Sequence, residues 1–149
     1  MISDVTAVRV LRCRSGALEW AVAELALREV APWSPVTRIP GAPDSVLGLA
    51  NLRGELLVVL DSRRLLGQPA GEPPGTMILV DAGGRRVALG VDTVDDLHLV
   101  PMEALGLATP EPGVPDGVVV SRGVADRPFL LVDVEALVAP VLPGRTGPA

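Results

Sequence analysis

The 149-residue chain has no lysine and no tyrosine, and only one cysteine, one histidine, one asparagine and one glutamine. Each scarcity excludes something. A single cysteine, Cys13, closes no internal disulfide and builds no cysteine-based metal cluster, which suits a reducing compartment. Aromatic residues make up 2%, namely Trp20, Trp33 and Phe129, so Val, Leu and Ala must fill the interior. Val-rich runs lean toward strand. All 13 basic residues are arginine, the net charge is −5, and no basic cluster occurs, which argues against a nucleic-acid partner. The absence of lysine reads as a coding bias toward Arg, Ala, Gly, Pro and Val, and against that background the lone Asn51 in a turn stands out. No apolar run approaches the roughly 18–20 residues of a membrane span. The opening "MISDVTAVRV" lacks the basic start and apolar stretch of a signal peptide. A cytoplasmic location without membrane insertion is expected.

What the chain does have is aliphatic bulk: 48% of residues are hydrophobic, enough for one domain or two very small ones. Residues 5–14 alternate loosely and read as a strand, "SG" at 15–16 as a turn, and 17–23 as the returning strand. "VAELALRE", 22–29, carries good helix formers with Val22, Leu25 and Ala26 at helical spacing, which predicts a short helix. Pro32, Pro35, Pro40 and Pro43 then impose an extended connection with the character of an edge strand. Hairpins are expected over 76–91, with a Gly-rich tip, and over 118–132, around "DR"; residues 93–100 form a further strand. Two Pro/Gly-rich loops, 68–75 and 108–117, separate these elements. Nine or ten short strands with three short helices form an all-β pattern of sandwich or small-barrel type.

The densest stretch is "NLRGELLVVLD", 51–61. Asn51 and Gly54 suit positions i and i+3 of a type I turn, with Leu52 and Arg53 at its tip and Gly54 in the left-handed conformation. Five apolar residues follow without alternation, Leu56 to Leu60, as expected of a strand buried on both faces. Asp61 is placed to cap the short helix "SRRLL". The pattern returns later: "VVLDSRRLL" (58–66) aligns with "LLVDVEALV" (130–138), matching Asp61 to Asp133. The echo suggests two related small barrels, each completed by a strand and a short helix, with the doubly buried strand between two apolar cores.

Catalytic patterns are weak. Asp96 and His98 share one strand face while Asp95 faces the other way, and two ligands are too few for a metal site. Ser15, Ser34, Ser45, Ser62 and Ser121 lie in no nucleophile motif, and no Gly-x-Ser-x-Gly occurs. "GG" at 83–84 lacks the lysine and helix of a phosphate loop. Cys13 reads as buried packing. A binding module remains, with Arg53 and Glu29 its best polar candidates.

Three segments, 26–67, 83–101 and 130–138, resemble the CheW-like chemotaxis coupling family, which includes the CheW-like domain of the kinase CheA. Leu47-Gly48, Asn51-Leu52-Arg53-Gly54 and Asp61 carry the pattern, flanked by "TRIPGAP", and the resemblance extends over residues 5–140, leaving 141–149 as a frayed tail. It implies two five-stranded SH3-like barrels on a common apolar core, with a few short helices. It implies no enzymatic activity, no cofactor and no metal. The implied partners are the cytoplasmic tip of a chemoreceptor and the regulatory domain of a CheA-type histidine kinase. Arg53 and Glu29 are implied to pair beside the receptor helices, with Leu27, Val30 and Leu52 as apolar contacts, while Asn51, Gly54, Asp61 and Asp133 shape the turns. Val58 stands where the family often has proline. Two other readings stay open: a small-ligand sensory barrel whose Pro/Gly loops line a pocket, and an array paralogue that competes with the true coupler.

Overall fold

The structure, a computed structural model, describes residues 7–124 and 127–142. Among these are ten strands: β1 Ala7–Ser15, β2 Leu18–Ala23, β3 Leu27–Pro32, β4 Val46–Leu52, β5 Glu55–Asp61, β6 Thr76–Ala82, β7 Arg85–Val91, β8 Thr93–Pro101, β9 Val119–Val124 and β10 Arg127–Val132. Two short helices, α1 Ser62–Leu65 and α2 Val134–Val138, follow β5 and β10. The strands form two five-stranded mixed sheets, β8-β1-β2-β10-β9 and β3-β6-β7-β5-β4.

The sequence echo is a structural repeat. Each sheet joins a hairpin to a strand of another hairpin through one parallel pairing, β10 with β2 (Leu131↔Ala21) and β5 with β7 (Leu60↔Leu89). The carboxylates of Asp61 and Asp133 cap α1 and α2, accepting from the backbone N–H of Arg63 and of Glu135 respectively. The fifth strands are exchanged. β3 follows β2 in the chain but pairs with β6 in the other sheet, and β8 follows β7 but pairs with β1.

Alternation along the strands divides the core into three parts. Trp20, Val22, Leu60, Ile78, Val80, Val87, Leu89, Leu130 and Val132 meet in a layer shared by both sheets. Residues of opposite parity point the other way, into two smaller clusters. Ala31, Ala50, Leu57, Val59, Met77, Leu79 and Ala88 form one, drawn from all five strands of the second sheet. Val10, Ala21, Val100, Phe129 and Leu131, with Val124, form its counterpart. A sheet whose five strands all line one cluster on one side must curl around it. The edges accordingly approach each other: Thr37, beyond β3, exchanges two 2.8 Å backbone hydrogen bonds with Leu49 of β4. In the first sheet, Gly106 beyond β8 donates its N–H to the carbonyl of Gly123 in β9, at 2.6 Å. A buried polar seam also joins the halves: Trp20 Nε1 donates to Ser15 Oγ at 2.8 Å, Ser15 and Ser62 hydroxyls lie 2.6 Å apart, and Ser62 Oγ donates to the Gly90 carbonyl at 2.6 Å.

Several expectations need correction. The predicted helix over 22–29 is instead the end of β2, a single 3-10 turn at Glu24–Ala26, and β3. Leu25, which helical spacing would turn inward, is 92% exposed. Pairing with β6 from Leu27↔Val80 to Pro32↔Thr76 supplies ladder hydrogen bonds that outweigh local helix propensity. The strand from Leu56 to Leu60 is buried on both faces only from Leu57 onward: Leu57 and Val59 enter the small cluster, Val58 and Leu60 the shared layer, and Leu56 is 65% exposed where β5 runs past that layer. The extended connection after Pro32 does meet the sheet edge, through Thr37. The expected "DR" turn of the last hairpin and the frayed tail lie at least partly outside the described residues.

Gly48 shows how tightly the edges of the second sheet are joined. Its φ is +145°, and a Cβ there would stand 2.1 Å from the Thr37 carbonyl oxygen. Gly48→Ala is expected to cost about 3 kcal/mol through strain and clash. A thermal melt should show a fall of roughly 6–12 °C for a chain of this size.

Candidate functional site

The β4–β5 hairpin builds the site. Leu52 pairs with Glu55, so the two turn residues are Arg53 and Gly54, at φ +52° and +87°. Positive φ at both positions is the type I′ pattern, whose twist matches that of the flanking strands. The expected type I turn with Leu52 at the tip is therefore displaced by one residue. Arg53 is the one non-glycine residue with positive φ among those described. Asn51 supports the turn, its Oδ1 accepting the Gly54 N–H at 2.8 Å.

This turn places the Arg53 guanidinium against Glu29 of β3, with Nη2 donating to Oε1. The two residues come from opposite edges of the second sheet, so the pair spans the gap that curling leaves. The side chains are 68% and 33% exposed, and a pair so open to water adds little stability. The hydrogen bond from Arg53 holds the Glu29 carboxyl below its ordinary range, against partial desolvation and with help from the fields of Arg53 and Arg86. A depressed carboxyl keeps its pairing above the ordinary carboxylate pKa and loses it as pH falls through the lowered value.

The other implied contacts are placed unequally. Val30 is 45% exposed beside Glu29. Leu27 packs against the shared layer and Leu52 against the small cluster of its own sheet, both half-buried. Four charged residues that sequence reasoning did not single out lie at the same end of the sheet: Arg28 pairs with Asp81, and Arg86 Nη1 donates to Glu55 Oε1 at 3.0 Å. Their signal is cross-strand register, Asp81 standing opposite Arg86, which a single sequence does not display.

Elsewhere the chemistry is quiet. Burial, then the charge of Asp95, pushes the Cys13 thiol up to about 12, so it stays protonated and unreactive. Among the described residues no three His, Cys, Asp or Glu side chains gather as metal ligands. A depression of about 280 Å³ against the 108–117 loop is lined by residues such as Pro110, Glu111 and Val114, with none from the 68–75 loop. No described helix is long and apolar enough to cross a membrane.

Residues 9–141 match the family described as the CheW-like domain. The chain is 33% identical over 129 residues to the probable chemotaxis protein CheW of Rhizobium etli, covering 83% of each. It is 41% identical over 89 residues to the chemotaxis protein CheW of Rhizobium meliloti, 58% of this chain and 57% of that relative's length. The scaffolding protein TtCheW of Thermoanaerobacter tengcongensis shares the fold, with a TM-score of 0.79 over 87% of this chain and 91% of its own, at 19% identity. This chain belongs to the CheW-like domain family.

If the Arg53 hydrogen bond sets the Glu29 carboxyl, NMR titration should place its midpoint below that of an unpaired glutamate in the parent chain. Arg53→Ala should move that midpoint upward, and an identical midpoint in both would show that the pair does not persist in solution.

Proposed function

We propose that the chain is a non-enzymatic, cytoplasmic adaptor that couples chemoreceptors to a CheA-type histidine kinase in a chemosensory array. The observation that carries this reading is the CheW-like match over nearly the whole chain, with relatives named as chemotaxis proteins. The adaptor occupies residues 5–140 as one CheW-like unit. Its receptor-facing site is the Arg53–Glu29 pair, with Val30 as the exposed aliphatic contact and Leu27 and Leu52 as its half-buried inner margin. Its partners are the receptor's cytoplasmic tip and the kinase's regulatory domain.

The site geometry supports docking over catalysis. A guanidinium whose charge is favoured first by its hydrogen bond to Glu29, and then by the charges of Glu29 and Glu55, stays protonated at neutral pH and is not poised for acid–base chemistry. What it offers is a directed charge at the tip of a rigid two-residue turn, suited to fixing the register of a partner helix.

Co-elution with a receptor cytoplasmic fragment and with the kinase regulatory domain tests the reading. Both should bind at micromolar concentrations, and binding of neither would refute it. Arg53→Glu should weaken receptor binding at least tenfold while the chain stays folded, its melt lowered by no more than a few degrees by the added like charge beside exposed Glu29 and Glu55. Receptor affinity equal to the parent's would remove Arg53 from the site.

A further inference from the structure

Three ion pairs stand side by side around this end of the second sheet. Arg28 on β3 pairs with Asp81 on β6. Asp81 lies opposite Arg86 on β7, and Arg86 pairs with Glu55 on β5. Glu55 begins β5 directly after the turn that holds Arg53, and Arg53 pairs with Glu29 on β3, next to Arg28 in the chain. Taken in strand order the signs alternate, Arg28, Asp81, Arg86, Glu55, Arg53, Glu29, with the hydrogen bonds inside the three pairs and none between them. The fields of these charges also reach beyond their own pairs. The Asp81 carboxyl is lowered first by its hydrogen bond from Arg28 and further by the charges of Arg28 and Arg86. The Glu29 carboxyl, lowered first by Arg53, also feels Arg86. Arg86 is therefore the cation nearest the middle of the set, acting on acids at both sides.

Such a ring adds little to folding. Every member is at least partly exposed, from 29% at Asp81 to 68% at Arg53, and exposed ion pairs are individually weak. Weak internal pairs exchange readily for pairs with a partner, whereas like charges brought together are penalised strongly. A polyanion placed on this rim meets Glu29, Glu55 and Asp81, and a polycation meets three arginines. Only a surface carrying both signs in alternation is accepted.

Resting on the adaptor reading above, we propose that the entire six-charge ring is the recognition rim of the receptor site. Its occupant is a helical segment of the receptor that carries acidic and basic residues in alternation along the face it presents. Arg86 and Glu55 form a second recognition pair beside Arg53 and Glu29.

The test measures affinity of the full chain for the receptor cytoplasmic fragment and, separately, for the kinase regulatory domain. Glu55→Ala and Arg86→Ala should each weaken receptor binding about fivefold or more, with melting temperature and kinase binding unchanged. The double exchange Glu55→Arg with Arg86→Glu re-forms the internal pair with reversed sign but sets like charges at position 86 against Asp81 and at position 55 beside Arg53, so its melting temperature and kinase binding, which should stay near the parent's, are read with it as checks on the fold. It should bind receptor as poorly as the single variants, because the partner now meets the wrong sign; recovery of parent affinity would show that the pair merely holds the fold, and would overturn the proposal. Parent-like receptor binding by both alanine variants would overturn it too, as would loss confined to the kinase domain. Failure of the parent chain to bind receptor at all sinks the adaptor reading itself. Parent binding that Arg53→Glu weakens but the Arg86 and Glu55 variants leave intact sinks only the ring.

Discussion

Trp20, Leu60, Ile78 and Leu89 lie in one apolar layer that neither sheet could enclose alone. The layer gives the central strands two buried faces, since the residues between those that enter it point into the small cluster of their own sheet. Burial at roughly 25 cal/mol per Å² of apolar surface makes this layer the principal source of stability in a chain with almost no aromatic bulk. The strand exchange reinforces it. Because β3 and β8 each leave the sheet of their preceding hairpin for the other, neither sheet is complete without chain from both halves. The hydroxyl seam of Ser15 and Ser62 then fixes the relative position of the halves with hydrogen bonds that only one arrangement satisfies.

The surface site depends on this interior. A five-stranded sheet that curls around Leu57, Val59, Met77 and Leu79 brings its edge strands β3 and β4 within reach of each other. Glu29 and Arg53 meet for that reason, although 24 residues separate them in the chain. The turn conformation adds the second condition: a type I′ hairpin aims the guanidinium back across the gap, at the cost of a left-handed arginine. The rim is thus a set of exposed ion pairs held at one end of the sheet.

Much of this was legible because it is local. "NLRG" announces a hairpin by its Asn and Gly, and Asp61 and Asp133 announce helix caps by preceding short apolar-ended segments. The unbroken aliphatic run after the turn correctly signals a strand between two cores, except at Leu56, where the run outlasts the layer that covers it. The segment over 22–29 misled because Glu, Leu and Ala favour helix, while the deciding interaction, the ladder to β6, lies about 50 residues away. The turn tip was misplaced because arginine rarely takes a positive φ, so the two-residue loop is hidden in the sequence. The pairs Arg28–Asp81 and Arg86–Glu55 were invisible for a related reason: their order is an order of strands in a sheet, not of residues in a chain.

The account stands on a single interior shared by two mutually dependent sheets. Native-state amide hydrogen exchange tests it directly, comparing Trp20 and Ala21 in β2 with Ala88 and Leu89 in β7. All four should exchange through the same global opening, with equal free energies and equal sensitivity to denaturant. Exchange in one sheet at a free energy lower by about 2 kcal/mol or more would mean that the sheets open separately, contradicting the common core.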